Sequence, residues 1–147
     1  MNFLTLYLSE NFPTAFFTTP LEEATITIEP AYLLSIVDFL KNHPQTQFSQ
    51  LVDICGVDYI GRLSRFEVVY HFLSIEHNQR IRLKVPLAEQ QAAPSIASLY
   101  PCAVWFERET WDMFGIPFEK NPDLRRLLTD YEFEGHPLRK EIGRAHV

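Results

Sequence analysis

Two stretches of alternation constrain this chain more than any other feature. In residues 65–73, Phe66, Val68, Tyr70 and Phe72 share one parity, while Glu67, Val69, His71 and Leu73 share the other. In residues 80–87, Ile81, Leu83, Val85 and Leu87 alternate with Arg80, Arg82 and Lys84. Successive side chains of a strand point to opposite faces, so this period gathers the apolar residues on one surface. The short Glu76-His77-Asn78 connection predicts an antiparallel hairpin. A lone hairpin is marginal in water, so the rest of the chain must cover its apolar face.

The remaining segments supply that cover. Residues 24–29 alternate Ile26 and Ile28 with Thr25 and Thr27, which predicts a strand. Residues 51–60 are apolar around Asp53 and Asp58 and read as another strand, with Gly56 at a bulge. Pro30 suits the first turn of a helix whose apolar face is Leu33, Ile36, Val37 and Leu40. Lys41, Asn42, His43 and Pro44 end that helix. Residues 2–11 carry Phe3, Leu4, Tyr7 and Leu8 at near-helical spacing, and Pro13 and Pro20 bracket a loop. Residues 88–94 read as a loop of small residues, and residues 95–100 as one helical turn before Pro101. A longer helix over residues 103–114 is closed by Gly115. The predicted fold class is α+β: a two-layer sandwich of a mostly antiparallel sheet with helices on one face, plus an extended C-terminal strap. Residues 1–118 form the domain and residues 119–140 the partner-binding strap. Residues 141–147, Glu-Ile-Gly-Arg-Ala-His-Val, match one reading frame of a common sequencing adapter and are expected to be a non-native tail.

Composition narrows the function classes. At 147 residues and 46% hydrophobic content, one ordinary core is expected. A net charge of −6, with no basic run longer than a pair, argues against nucleic-acid binding. Cys55 and Cys102 lack Cys-x-x-Cys spacing and are too few for an iron–sulfur cluster. They are expected as buried thiols in a cytosol-like compartment, with a single disulfide as the alternative. No Lys or Arg precedes Lys41, so the start lacks the basic region of a signal peptide. No apolar run approaches the roughly 20 residues of a membrane span.

The helix over residues 103–114 is apolar on two sides. At about 100° per residue, Ala103, Phe106, Thr110, Met113 and Phe114 share the face expected to cover the sheet. Val104 and Trp111 point nearly opposite, and Trp105 points to a third side. Such a helix needs a cover from the strap, from a partner, or from both. Arg108 and Asp112 stand at i and i+4 and can pair; Glu107 and Glu109 lie early, where the helix dipole favours acids. Arg125, Arg126, Arg139 and Lys140 add basic points along the strap for carboxylates. A structural ion-pair network is favoured over acid–base work for Glu107, Glu109 and Asp112. His136 in Gly-His-Pro reads as a histidine ordering a turn. His43, His71 and His77 lack metal-ligand spacing. No Gly-rich phosphate loop or Gly-x-Ser-x-Gly elbow is present. The residues alone point to a domain with a large docking surface and no self-contained active site. A stand-alone acid–base hydrolase using Glu109, Asp112 and His136 is the competing reading of a different class.

One long motif set carries a resemblance. Glu107-Arg108-Glu109, Trp111-Asp112-Met113-Phe114-Gly115, residues 122–131 (Pro-Asp-Leu-Arg-Arg-Leu-Leu-Thr-Asp-Tyr) and residues 133–140 (Phe-Glu-Gly-His-Pro-Leu-Arg-Lys) closely resemble the C-type subunits of NADH-quinone oxidoreductase, the respiratory complex I 30 kDa family. Phe39-Leu40, Val57-Asp58-Tyr59 and residues 66–71 extend it more weakly. Asn121 departs from the family's usual His before Pro, and Glu132 from a usual Gly. After Lys140 the family continues with Asp-Phe-Pro, which this chain lacks. The resemblance implies a non-redox scaffold subunit of the peripheral arm, in a complex that passes electrons from NADH to quinone and couples this to proton translocation. NAD, FMN, iron–sulfur clusters and quinone would be held by other subunits. Its partners would be the quinone-reducing subunit of the D type and the iron–sulfur subunits. Its place would be peripheral, on the cytoplasmic side of a bacterial inner membrane or the matrix side of a mitochondrial one. A homologous scaffold in a membrane-bound hydrogenase-type complex is the related alternative. The expected partner-binding residues are Trp105, Glu107, Arg108, Glu109, Trp111, Asp112, Arg125, Arg126, Asp130, His136, Arg139 and Lys140.

Overall fold

The computed structural model describes residues 16–18 and 24–121. The expected helix over residues 2–11 and most of the strap lie outside them. Five strands form one sheet: β1 (Phe16–Thr18), β2 (Ala24–Thr27), β3 (Gln50–Asp58), β4 (Phe66–Ser74) and β5 (Gln79–Leu87). Their order is β1-β2-β5-β4-β3, antiparallel throughout except for the parallel β2–β5 pair. The predicted hairpin is β4–β5, paired in continuous register from Phe66↔Leu87 to Ser74↔Gln79. Asn78 takes a left-handed φ of 49° in its turn, a conformation that asparagine tolerates better than most residues.

Cross-strand partners share a face, so the register defines the core. Ile54, Tyr70, Leu83 and Ile26 lie in one row, and Gly56, Val68 and Val85 in the next. Phe66, Val68, Tyr70, Phe72, Ile81, Leu83, Val85 and Leu87 are all buried, as the alternation predicts. Pro30–Tyr32 forms a 3-10 turn before helix α1 (Leu33–Asn42), so proline opens a tighter turn rather than the α-helix itself. Leu33, Ile36, Val37 and Leu40 of α1 are fully buried in the same core. Each contributes roughly 1.5–3 kcal/mol by leaving water. Past the helix end, the Phe48 amide donates to the Leu40 carbonyl at 2.8 Å and the Thr46 hydroxyl donates to it at 2.9 Å.

Helix α2 (Ala103–Phe114) has the predicted bounds and ends on Gly115 at φ 75°, with the Gly115 amide bonded to the Trp111 carbonyl at 2.7 Å. It is flanked by two short strands, β6 (Ala93–Pro94) and β7 (Phe118–Glu119), which pair in parallel. Parallel neighbours require a crossover, and α2 is that crossover. No described helix is long and apolar enough to cross a membrane.

Several expectations are corrected. The loop between Pro13 and Pro20 contains β1, whose backbone is satisfied by antiparallel pairing with β2. The loop over residues 88–94 ends in β6, which gains its ladder from a segment more than twenty positions away. Cys55 and Cys102 are both free and exposed, neither buried nor bridged. The register irregularity of β3 falls between Leu51 and Asp53, not at Gly56. Glycine is required at position 56 for another reason. A Cβ there would stand 2.6 Å from Cδ2 of Phe114, which packs over the strand from the end of α2.

That contact generates a test. Gly56→Ala is expected to destabilise the chain by about 1–3 kcal/mol in urea unfolding, through overpacking against the ring. Combining it with Phe114→Leu is expected to recover part of that loss. Strictly additive costs would show that the two positions do not meet.

Candidate functional site

Glu107 is expected among the partner-binding residues, but the fold turns it inward. Its carboxylate is completely buried. Oε1 accepts hydrogen bonds from the Ser95 hydroxyl at 2.6 Å and the Asn121 side-chain amide at 2.8 Å. Oε2 accepts the Ile96 backbone amide at 2.9 Å. Ser95 and Ile96 directly follow β6, and Asn121 lies two residues after β7. One carboxylate on α2 therefore ties down the chain on both sides of the crossover. The first turn of α2 holds no acid, so the dipole expected to favour Glu107 and Glu109 is not what holds Glu107.

Burial pushes the Glu107 carboxyl above its ordinary range, and the three donors pull it back only in part. Near it stands Tyr70, a core residue of β4. Its hydroxyl is buried without a hydrogen-bond partner among the described residues. Burial, and then the Glu107 charge, hold that phenol well above the usual tyrosine range. Both groups resist carrying charge.

The other expected residues divide. Trp105 is 54% exposed, and the Arg108 guanidinium lies over its ring at 5.3 Å from the centroid. Arg108 and Asp112 are themselves buried. Trp111, expected to point away from the sheet, packs in part against the core. The helix thus buries charged residues on the side where a simple helical wheel would place solvent. Glu109 is half-buried beside a groove of about 180 Å³ that Cys55, Gly56, Met113 and Phe114 also line. Partial desolvation beside this groove, and then Asp53, raise the Cys55 thiol above its ordinary value. Arg125, Arg126, Asp130, His136, Arg139 and Lys140 lie outside the described residues. Sequence reasoning missed Ser95 and Asn121. Their signal was faint: a hydroxyl and an amide placed just beyond the two shortest strands.

Chemically, this arrangement holds backbone in place. Every hydrogen bond described at Glu107 comes from the chain itself, and no described group of three or more His, Cys, Asp or Glu residues is placed to hold a metal. Glu107→Ala is expected to cost about 2–4 kcal/mol in urea unfolding, because buried donors lose their acceptor. The pH dependence has a definite sign. The folded chain binds the Glu107 proton more tightly than the unfolded chain does. That stabilisation is full below the ordinary value of 4.5, declines as pH rises toward the raised value, then levels off. The stability of wild type relative to Glu107→Gln should therefore fall over this window; a difference that rises with pH would contradict the assignment.

Similarity to known proteins agrees with this architecture. The family described as "Respiratory-chain NADH dehydrogenase, 30 Kd subunit" matches residues 26–145. The C-type subunit of NADH-quinone oxidoreductase from Paramagnetospirillum magneticum is 52% identical over 120 residues, covering 82% of this chain and 60% of that protein. The protein of the same name in Xanthobacter autotrophicus is 55% identical over 120 residues, covering 82% of this chain and 57% of that protein. The chain thus spans somewhat more than half the length of these relatives. Among solved structures, a chain of the membrane-bound sulfane sulfur reductase, an archaeal respiratory membrane complex, superposes with a TM-score of 0.78 at 23% identity, covering 95% of this chain and 84% of that one. At that identity the likeness speaks for the fold alone. The match over most of the sequence, with relatives above half identity, places this chain in the family of the 30 kDa subunit of respiratory-chain NADH dehydrogenase.

Proposed function

We propose that the chain is a non-redox scaffold subunit in the peripheral arm of an NADH-quinone oxidoreductase. In this reading it has no active site of its own. It holds neighbouring subunits in register while the complex passes electrons from NADH to quinone and translocates protons. NAD, FMN, iron–sulfur clusters and quinone belong to other chains of the complex. The neighbours are the quinone-reducing subunit and the iron–sulfur subunits, at the cytoplasmic or matrix face of the membrane.

The observation that carries this reading is the identity of 52–55% with proteins named as the C-type subunit of that oxidoreductase. The chemistry of the chain supports the scaffold role. Glu107 is engaged in internal hydrogen bonds. Trp105 stands open to solvent under a guanidinium, as an interface anchor would.

The test is a native gel of detergent-solubilised membranes carrying the epitope-tagged full-length chain, stained for NADH oxidation. Comigration of the tag with a large NADH-oxidising band is expected. Trp105→Ala is expected to lower the assembled fraction roughly tenfold, as loss of an aromatic anchor does, while leaving the fold of the free chain intact. A tag that migrates with a hydrogen-evolving band, or only at monomer size, would refute the proposal.

A further inference from the structure

Two grooves lie in line along the outermost strand of the sheet. β3 ends the strand order, and no described segment pairs with its free edge. Such an edge is a template for an added strand. The first groove, about 370 Å³, is lined by residues 49–51 at the start of β3, by residues 99–102 before α2, and by Lys41. The second, about 180 Å³, is lined by residues 54–56 and by Glu109, Thr110, Met113 and Phe114. Strand and helix therefore run side by side, and the two grooves mark one seam between them. Val52 stands between the grooves, where the register of β3 on β4 is irregular. Such bulges re-aim side chains, and Val52 is 42% exposed.

The two ends of the seam carry opposite charge. Lys41 is the one charged residue described at the first groove. Its ammonium is oriented: it donates to the Leu99 carbonyl and lies 5.2 Å from the Tyr100 ring centroid. Glu109 is the one charged residue described at the second groove. Asp53 adds a further carboxylate at that end, since both acids act on the Cys55 thiol. Roughly five residues of strand separate the grooves, or about 17 Å of extended chain.

We propose that the seam between β3 and α2 takes one extended segment of a neighbouring protein subunit, which sets a carboxylate beside Lys41, apolar side chains over Val52 and a base beside Glu109. The opposed charges fix its direction along the strand, because the reverse orientation brings like charges together. An apolar stretch with opposite charges this far apart describes an extended peptide; a compact ligand would meet only one end. The chain's own continuation is the poorer match. At about 100° per residue, Val104 and Glu107 lie on the flank of α2 opposite Glu109 and Met113. Asn121 is bonded on that opposite flank, to the Val104 carbonyl at 3.5 Å and to Glu107 at 2.8 Å. The inference rests on the chain's place in a multi-subunit assembly, and the experiment separates the two claims.

The experiment uses full-length chain in native membranes. A photo-crosslinking amino acid at position 52 is expected to capture one other protein subunit in the intact complex. Val52→Asp and Glu109→Arg are each expected to lower the assembled fraction roughly tenfold, with thermal unfolding of the free chain unchanged. Reversing the base on the captured segment is expected to restore assembly of Glu109→Arg, which a merely structural role for Glu109 would not allow. Capture of a protein neighbour in a large band that does not oxidise NADH would uphold the seam and refute the respiratory assignment. Normal assembly of both variants, or a crosslink only to the chain's own residues or to lipid, would overturn the seam. A wild-type chain found only at monomer size would overturn both.

Discussion

One buried carboxylate governs the C-terminal half of this fold. A carboxylate leaves water at a cost of several kcal/mol unless donors await it. Glu107 finds three, from Ser95, Ile96 and Asn121. Those donors sit on segments that otherwise have little to hold them. β6 and β7 are two residues each, and a ladder that short supplies few bonds of its own. The carboxylate makes β6, α2 and β7 one unit. That unit packs on the sheet where glycine lets Phe114 come down onto β3. Remove the carboxylate and the crossover loses its tie at both ends.

The same constraint bears on function. Asn121 is where the described chain ends, and its amide is bound to Glu107. That bond holds Asn121 against α2. In the scaffold role proposed above, a segment that engages a partner would do so at lower entropic cost if its root is already ordered. Asn121 stands where the resemblance leads one to expect histidine, yet it still offers an N–H to the buried oxygen. The β3–β4 connection is fixed in another way. There, Asp58 and Arg65 commit a buried ion pair to the neck of a surface loop.

How much of this is legible in the sequence depends on the range of the forces. The β4–β5 hairpin is readable because its pairing is local and its period is unambiguous over nine residues on each strand. The bounds of α2 are readable because Gly115 supplies the left-handed stop. Contacts between distant segments are less so. The parallel β2–β5 pairing joins residues more than fifty positions apart, and nothing in residues 24–27 specifies that partner. β1 and the β6–β7 pair are too short to show a period. The inward turn of Glu107 defeats a helical wheel, which assigns a glutamate to solvent unless its donors are known in advance. Gly56 looks like a bulge in one dimension and proves to be a close approach in three. The exposed cysteines follow from position rather than type: Cys55 faces outward on β3, and Cys102 precedes the first turn of α2.

The most direct test of the Glu107 constraint is amide hydrogen exchange in the wild-type chain. Ile96 donates to the carboxylate, while Ala93 and Ser95 donate to the carbonyls of Pro117 and Glu119. If Glu107 unites β6, α2 and β7, these three amides exchange together and as slowly as Tyr70 in the interior strand β4, because all open only with the whole fold. Exchange of Ile96 at the rate of an exposed loop amide, with Tyr70 still protected, would contradict the account.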